Sequence, residues 1–170
     1  NHFLSKAVEL DPKNSDIMAL YSRSCYFIGR FSAINDKSAD SSFINGFTKS
    51  WQYIINSKDF QNGFKSIEGD SLAKTIAGLE NLSEHLLPVA YWWAENYTSY
   101  LLTKPVLERM ENREIIETML HRILSINPEY YYHGANRIFG SFYAKLPGVN
   151  LDQSKNNFDK SISSEPAFMT

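Results

Sequence analysis

LSKAVELDP (residues 4–12), LHRILSINP (120–128) and FDKSISSEP (158–166) share one layout. In each, a bulky apolar residue is followed two places on by a cation, then by a pair of apolar or small residues, and an acid or amide stands before a proline. Proline disfavours the α conformation in the residue preceding it, so a helix is expected to stop at Asp11, Asn127 and Glu165. Lys6, Arg122 and Lys160 lie near the negative C-terminal end of that helix, where a cation is favoured. The same helix ending, met three times, makes the chain a set of repeated helical units.

KAVELDPKN (6–14) closely resembles the end of the second helix of a tetratricopeptide (TPR) repeat, whose consensus closes K-A-L-E-L-D-P-N-N. After each proline the first helix of the next hairpin is then expected. Residues 15–31 supply one, with Ser15 or Asp16 as N-cap candidates and Met18, Leu20, Tyr21, Cys25 and Ile28 for packing. Residues 38–57 supply the next, because Phe43, Phe47, Trp51, Ile54 and Ile55 recur at helical spacing. Residues 71–103 read as a short helix and a long one that begins near Pro88, a residue suited to a helix start. Further helices are expected over 113–126, 133–146 and 151–164, the last two separated by a turn at LPGVN. Period-two alternation is almost absent. The expected fold is all-α: TPR-like stacked helical hairpins, an α-solenoid whose repeats are degenerate and carry inserts, since the prolines are unevenly spaced. Residues 1–170 form one such domain, expected to be a fragment that lacks an N-terminal lipoprotein signal, first helices and C-terminal capping helices.

Composition narrows the function. With 43% hydrophobic and 14% aromatic residues the chain has ample core material, and its net charge of −2 with no run of Lys or Arg speaks against a nucleic-acid partner. The apolar run LLPVAYWWA is far short of the roughly 20 residues that span a bilayer. A single cysteine, Cys25, leaves no internal disulfide or cysteine zinc site and is expected as a buried thiol. His2, His85, His121 and His133 never fall at paired ligand spacing, and no nucleophile elbow, dinucleotide fingerprint or P-loop occurs. No catalytic residue, metal or cofactor is expected.

In TPR-type hairpins the first helices line the concave side. Placing Trp92 at the usual aromatic position of the first helix turns Trp93, Tyr97 and Tyr100 toward the concavity. Tyr91 and Trp92 belong to the core, whereas Trp93 and Tyr97 suit either core or groove. Arg23 and Arg137 fall on first helices at inward positions. Each either pairs internally with a carboxylate or a helix-end carbonyl, or clamps an anion or a partner carboxylate. For Asn96, a helix-to-helix hydrogen bond competes with a ligand contact. The mixed charges of VLERMENREIIETMLHR form a solvated, salt-bridged face.

INPEYYYHGANRIFGSFYAKLPG (126–148), followed by NNFDKSISSEPAF (156–168), resembles the T component of TRAP transporters, the TatT family. The family's segment runs as D-P-x-Y-Y-Y-G-G-P-x-R, then an aliphatic-Gly-x-Tyr-Tyr-Ala-x-Leu-Pro-Gly helix, then H-F-x-K-A-I and a proline. Tyr130, Tyr131, Tyr132, Gly134, Arg137, Gly140, Tyr143 and Pro147 follow it, and VAYWWAEN is similar to the family's A-L-Y-W-Y-A-S-N. Ala135 stands where proline is usual and His133 where the first glycine is, a change expected to loosen the hinge. Gly134 is expected to permit the turn and Gly140 a close helix approach. The resemblance implies a noncatalytic, TPR-like periplasmic lipoprotein, attached to a membrane only through a lipid anchor absent from this sequence. It also implies binding to the periplasmic substrate-binding subunit of a TRAP transporter, a small hydrophobic or anionic ligand, and homo-oligomers. The residues expected to bind ligand or partner are Arg23, Trp93, Asn96, Tyr97, Tyr131, Tyr132 and Arg137. The alternative is a structural scaffold subunit of another envelope assembly.

Overall fold

The computed structural model describes residues 2–164, so the third proline stop, Glu165 before Pro166, lies outside the described residues. The chain runs through α1 (His2–Leu10), α2 (Ser15–Phe27), a π-helical turn (Ile28–Ser32), α3 (Asp36–Ile55), α4 (Lys58–Ser66) and α5 (Ser71–Glu80). A 3-10 turn (Glu84–Leu86) leads into α6 (Leu87–Leu102), then come α7 (Val106–Glu111), α8 (Arg113–Ile126), α9 (Tyr130–Tyr143) and α10 (Leu151–Ser164). There is no strand among the described residues. The fold is all-α and repeat-like, as the sequence implies.

The helices pack as neighbours in the chain: α2 with α3, α4 with α5, α9 with α10. α6 and α8 make a further pair across the short α7, and α6 also meets α2, α3 and α9, which puts it at the centre. Its one-letter run LPVAYWWAENYTSYLL is apolar on nearly every face, as a helix enclosed on all sides must be. Tyr91, Leu101, Ile116, Met119, Leu120 and Phe142 are all but inaccessible around it. Each such side chain contributes about 1.5–3 kcal/mol by leaving water.

Two elements depart from the sequence expectation. The pair α4 and α5 is an inserted hairpin, and of it the 3.6-residue pattern reveals only α5. α4 has nine residues, too few for a clear period, and rests on Ser57, whose hydroxyl accepts from the Phe60 amide at 3.2 Å. The six-residue α7 is shorter still. At the start of α2 the cap is Asn14, not Ser15 or Asp16: its Oδ1 accepts from the amides of Asp16 and Ile17, both at 3.1 Å. The expected stop before Pro128 is present, with Asn127 extended at φ −152° and ψ 100°. Arg122 does not serve the end of its own helix by charge alone. Its Nε donates to the Leu82 carbonyl at 2.7 Å, tying α8 to the loop after α5.

A groove floored by Glu95

Within α6 one residue is charged, Glu95. It lines, with Thr98 and Ser99, the floor of an open groove of about 860 Å³. The π-helical turn widens the end of α2 and brings Arg30 and Phe31 to one wall, joined by Phe43 from α3. α9 supplies Arg137, Ile138 and Ser141 to the other wall, and α10 supplies Phe158. α9 and α10 can close on each other because Gly140 carries no side chain: a Cβ there would meet the Phe158 ring at 2.8 Å.

The electrostatics centre on the carboxylate. The Tyr91 hydroxyl donates to Glu95 Oε1 at 2.6 Å. Burial pushes the Glu95 carboxyl above its ordinary pKa, against the opposing pull of the Tyr91 hydrogen bond and of the positive charges of Arg137 and Arg30. Across the groove the Tyr26 hydroxyl, raised to about 12 chiefly by burial, feels the same three charged groups. Glu95, Arg30 and Arg137 therefore act on one shared space. In the same floor the Thr98 hydroxyl is buried at 3% exposure and has no hydrogen-bond partner among the described residues.

α9 begins irregularly. Tyr131, Tyr132 and His133 take left-handed conformations, with φ of 48°, 57° and 55°. The expectation that Gly134 permits the turn is corrected here, since the three residues before it make the turn. Gly134 is needed for proximity, because a Cβ on it would lie 2.4 Å from the Tyr91 ring. Nη2 of Arg137 donates to the Tyr131 carbonyl at 2.9 Å and Nη1 to that of Tyr132. The guanidinium thus spans the turn's carbonyls on one side and the groove on the other.

The residues singled out in the sequence do not form one site. Arg23 is exposed, its guanidinium 5.5 Å from the Phe27 ring centroid, 5.6 Å from Trp92 and 5.8 Å from Tyr131. Tyr131 lies edge-on to Trp92, and Tyr132 is 49% exposed. Trp93 is 2% exposed and, with Tyr97, borders a separate aromatic recess of about 240 Å³ against Phe47, Trp51 and Ile115. The Tyr97 hydroxyl donates to Asn112 Oδ1 at 2.6 Å. Asn96 is fully buried in the seam with α2, where Nδ2 donates to the Ser22 carbonyl at 2.9 Å and the Trp92 carbonyl at 2.7 Å. Of the seven, Arg137 alone lines the Glu95 groove. Glu95, Thr98 and Arg30 were missed by sequence reasoning. The available signal was a lone carboxylate in an otherwise uncharged run.

A family model described as TRAP transporter T-component matches residues 29–166, which include every wall of this groove except Tyr26. The chain belongs to that family. No curated protein matches it. As a T-component it is an accessory of a TRAP transport system, and no helix among its described residues is long and apolar enough to cross a membrane. Arg23 lies upstream of the matched residues, whereas Trp93, Asn96, Tyr97, Tyr131, Tyr132 and Arg137 lie within them.

Proposed function

We propose that this T-component is a noncatalytic periplasmic protein, lipid-anchored in its full-length form, that engages the substrate-binding subunit of its TRAP system and holds a small ligand in the groove over Glu95. The observation that carries this reading is the placement of α6's single charge on the floor of an open groove, facing Arg30 and Arg137. A half-buried carboxylate whose charge its surroundings disfavour is costly, and a chain that needed only packing at this position would place an apolar residue there. The exposed Arg23 and Tyr132 at the neighbouring turn offer a partner the residue types that dominate protein interfaces. Co-purification with a TRAP substrate-binding subunit from the same organism, at micromolar concentrations, tests the partner. Absence of any complex speaks directly against it. Native mass spectrometry tests the ligand, through a co-purified small molecule.

A second reading, a scaffold subunit of a larger envelope assembly, draws on Trp93 and Asn96, both of which are packed against other helices. It requires that the groove be filled by a neighbouring chain, so native mass spectrometry would find assembled protein and no small molecule.

A further inference from the structure

On the reading that the protein engages a TRAP substrate-binding subunit, the end of α2 supplies the face for that contact. Phe31 is 70% exposed and Phe27 39%, with their ring centroids 5.6 Å apart. Ile34, shortly after them in the chain, is 90% exposed. Single apolar residues on a surface need no explanation, whereas adjoining rings kept in water mark a site of interaction. The two rings flank the start of the π-helical turn Ile28–Ser32, which carries both Arg30 and Phe31. Such turns are rare and concentrate where a protein functions.

The cations beside these rings are the second feature. Arg23 stands one helical turn before Phe27, and contact with Phe27, Trp92 and Tyr131 fixes its guanidinium in place. Arg137 spends its donors on the carbonyls of Tyr131 and Tyr132. Arg23 and Arg30 do not: both are exposed, and neither guanidinium makes an ion pair or a hydrogen bond among the described residues. Ring contact positions a guanidinium without neutralising it, and its planar fork of donors matches a carboxylate.

Aromatic residues and arginine are enriched in protein interfaces and supply most of their binding energy. With two unneutralised cations on this face, the complementary surface is acidic. A second copy meeting the same face across a two-fold axis would set arginine against arginine. Anionic lipid attracts helices rich in Lys and Arg along one side, and α2 has Arg23 alone, offset by Asp16. We propose that the substrate-binding subunit docks on this face through an acidic segment, its carboxylates reaching Arg23 and Arg30 and an apolar side chain settling on Phe27 and Phe31. Arg30 and Phe31 also form one wall of the Glu95 groove, so the docked subunit lies against the groove.

The test is calorimetric titration of the full chain with a TRAP substrate-binding subunit from the same organism. The expected result is a wild-type complex that weakens as salt is added, and affinity about tenfold lower or more in Arg23→Gln and in Phe31→Ala. Both side chains are exposed, and either variant decides the question alone if the other fails to fold. Wild-type affinity in both variants would overturn this face and leave the partner standing. A complex indifferent to salt would overturn the acidic character of the docked segment. No complex with the wild-type chain would overturn the partner and the face together. Sedimentation of the chain alone and flotation with phosphatidylglycerol vesicles address the other occupants. Self-association or vesicle binding that Arg23→Gln and Phe31→Ala abolish, with the subunit complex unaffected, would overturn the proposal in favour of a second copy or a membrane.

Discussion

Nη2 of Arg137 lies 2.9 Å from the carbonyl oxygen of Tyr131, so a side chain within α9 holds the beginning of its own helix in a left-handed turn. Left-handed backbone costs a residue other than glycine about 1–2 kcal/mol, and Tyr131, Tyr132 and His133 adopt it in succession. Such a turn persists only where its surroundings over-determine it. Here the guanidinium takes the carbonyls, while the Tyr131 ring is lodged 4.9 Å from Trp92 and 5.1 Å from Tyr91. Since Arg137 also lines the Glu95 groove, the turn and the groove share one cation.

Replacing that cation should be felt first as stability. Arg137→Ala removes charge-assisted bonds to carbonyls of a strained turn and is expected to cost about 1.5–3 kcal/mol, read from urea unfolding. Arg137→Lys should recover little of it, because one ammonium cannot serve two carbonyls in the manner of a guanidinium fork. An alanine variant as stable as wild type would show that the turn does not depend on the clamp.

The turn also predicts a stabilising change. His133 sits at φ 55° and ψ 38°, a region open to glycine without the cost that a Cβ brings, and glycine is the residue the family resemblance places there. His133→Gly is expected to raise stability by about 1 kcal/mol, after allowance for the greater freedom glycine gives the unfolded chain. His133→Ala, which keeps the Cβ, should not. Equal melting of the two variants would argue against a left-handed His133.

One residue later the sign reverses. A Cβ on Gly134 would lie 2.4 Å from Cε2 and 2.5 Å from the hydroxyl oxygen of Tyr91. Gly134→Ala should therefore cost about 1–3 kcal/mol through overpacking, in spite of alanine's better helix propensity. A neutral or stabilising outcome in thermal melting would mean that Tyr91 moves aside freely.

Asn96 offers a prediction for the seam between α6 and α2. Its Nδ2 reaches the Ser22 carbonyl, the Ser22 hydroxyl at 3.1 Å and the Trp92 carbonyl, all buried. Asn96→Ala should cost about 2–3 kcal/mol, since the acceptors are left without their donor and a small void opens. Asn96→Asp should cost more, because it turns a carboxylate toward those oxygens. If ligand binding fell while stability held, Asn96 would belong to a site and not to the seam.

How much of this was legible in the sequence depends on the range of the interaction concerned. Pro12, Pro88 and Pro128 act on their immediate neighbours, so helix ends and starts could be placed to within a residue or two for α1, α6 and α8. The short α4 and α7 lack enough turns to display a period, and tertiary contact with longer helices holds them. The TPR pattern assigns Trp93 and Tyr97 to an inward face, and they do border a recess, but that recess lies between α3, α6 and α8, apart from the one over Glu95. Which face of α6 meets open space depends on the π-helical turn and on how α9 approaches, and neither is encoded near Glu95. The left-handed turn ran against the local signal altogether: Gly134 draws attention as the flexible residue, while the strain falls on the three side chains before it.

Glu95 gives the groove a pH signature. Burial raises its carboxyl above the ordinary value of 4.5, so the folded state binds the proton more tightly than the unfolded chain does. Stability from this group is therefore complete in acid and declines as pH climbs through the ordinary glutamate range toward the raised value. At neutral pH the ionised carboxylate is a net burden that the Tyr91 hydrogen bond and the two arginines relieve only in part. Glu95→Gln keeps an oxygen to accept from Tyr91 and sheds the charge. The variant should melt above wild type at neutral pH, and the gap should narrow as the pH is lowered through the raised value toward 4.5 and stay closed below it, where both side chains are neutral. A gap that stayed constant across that range, or a glutamine variant less stable at neutral pH, would mean that attraction to Arg137 and Arg30 outweighs burial. Glu95 would then be a paired structural anion.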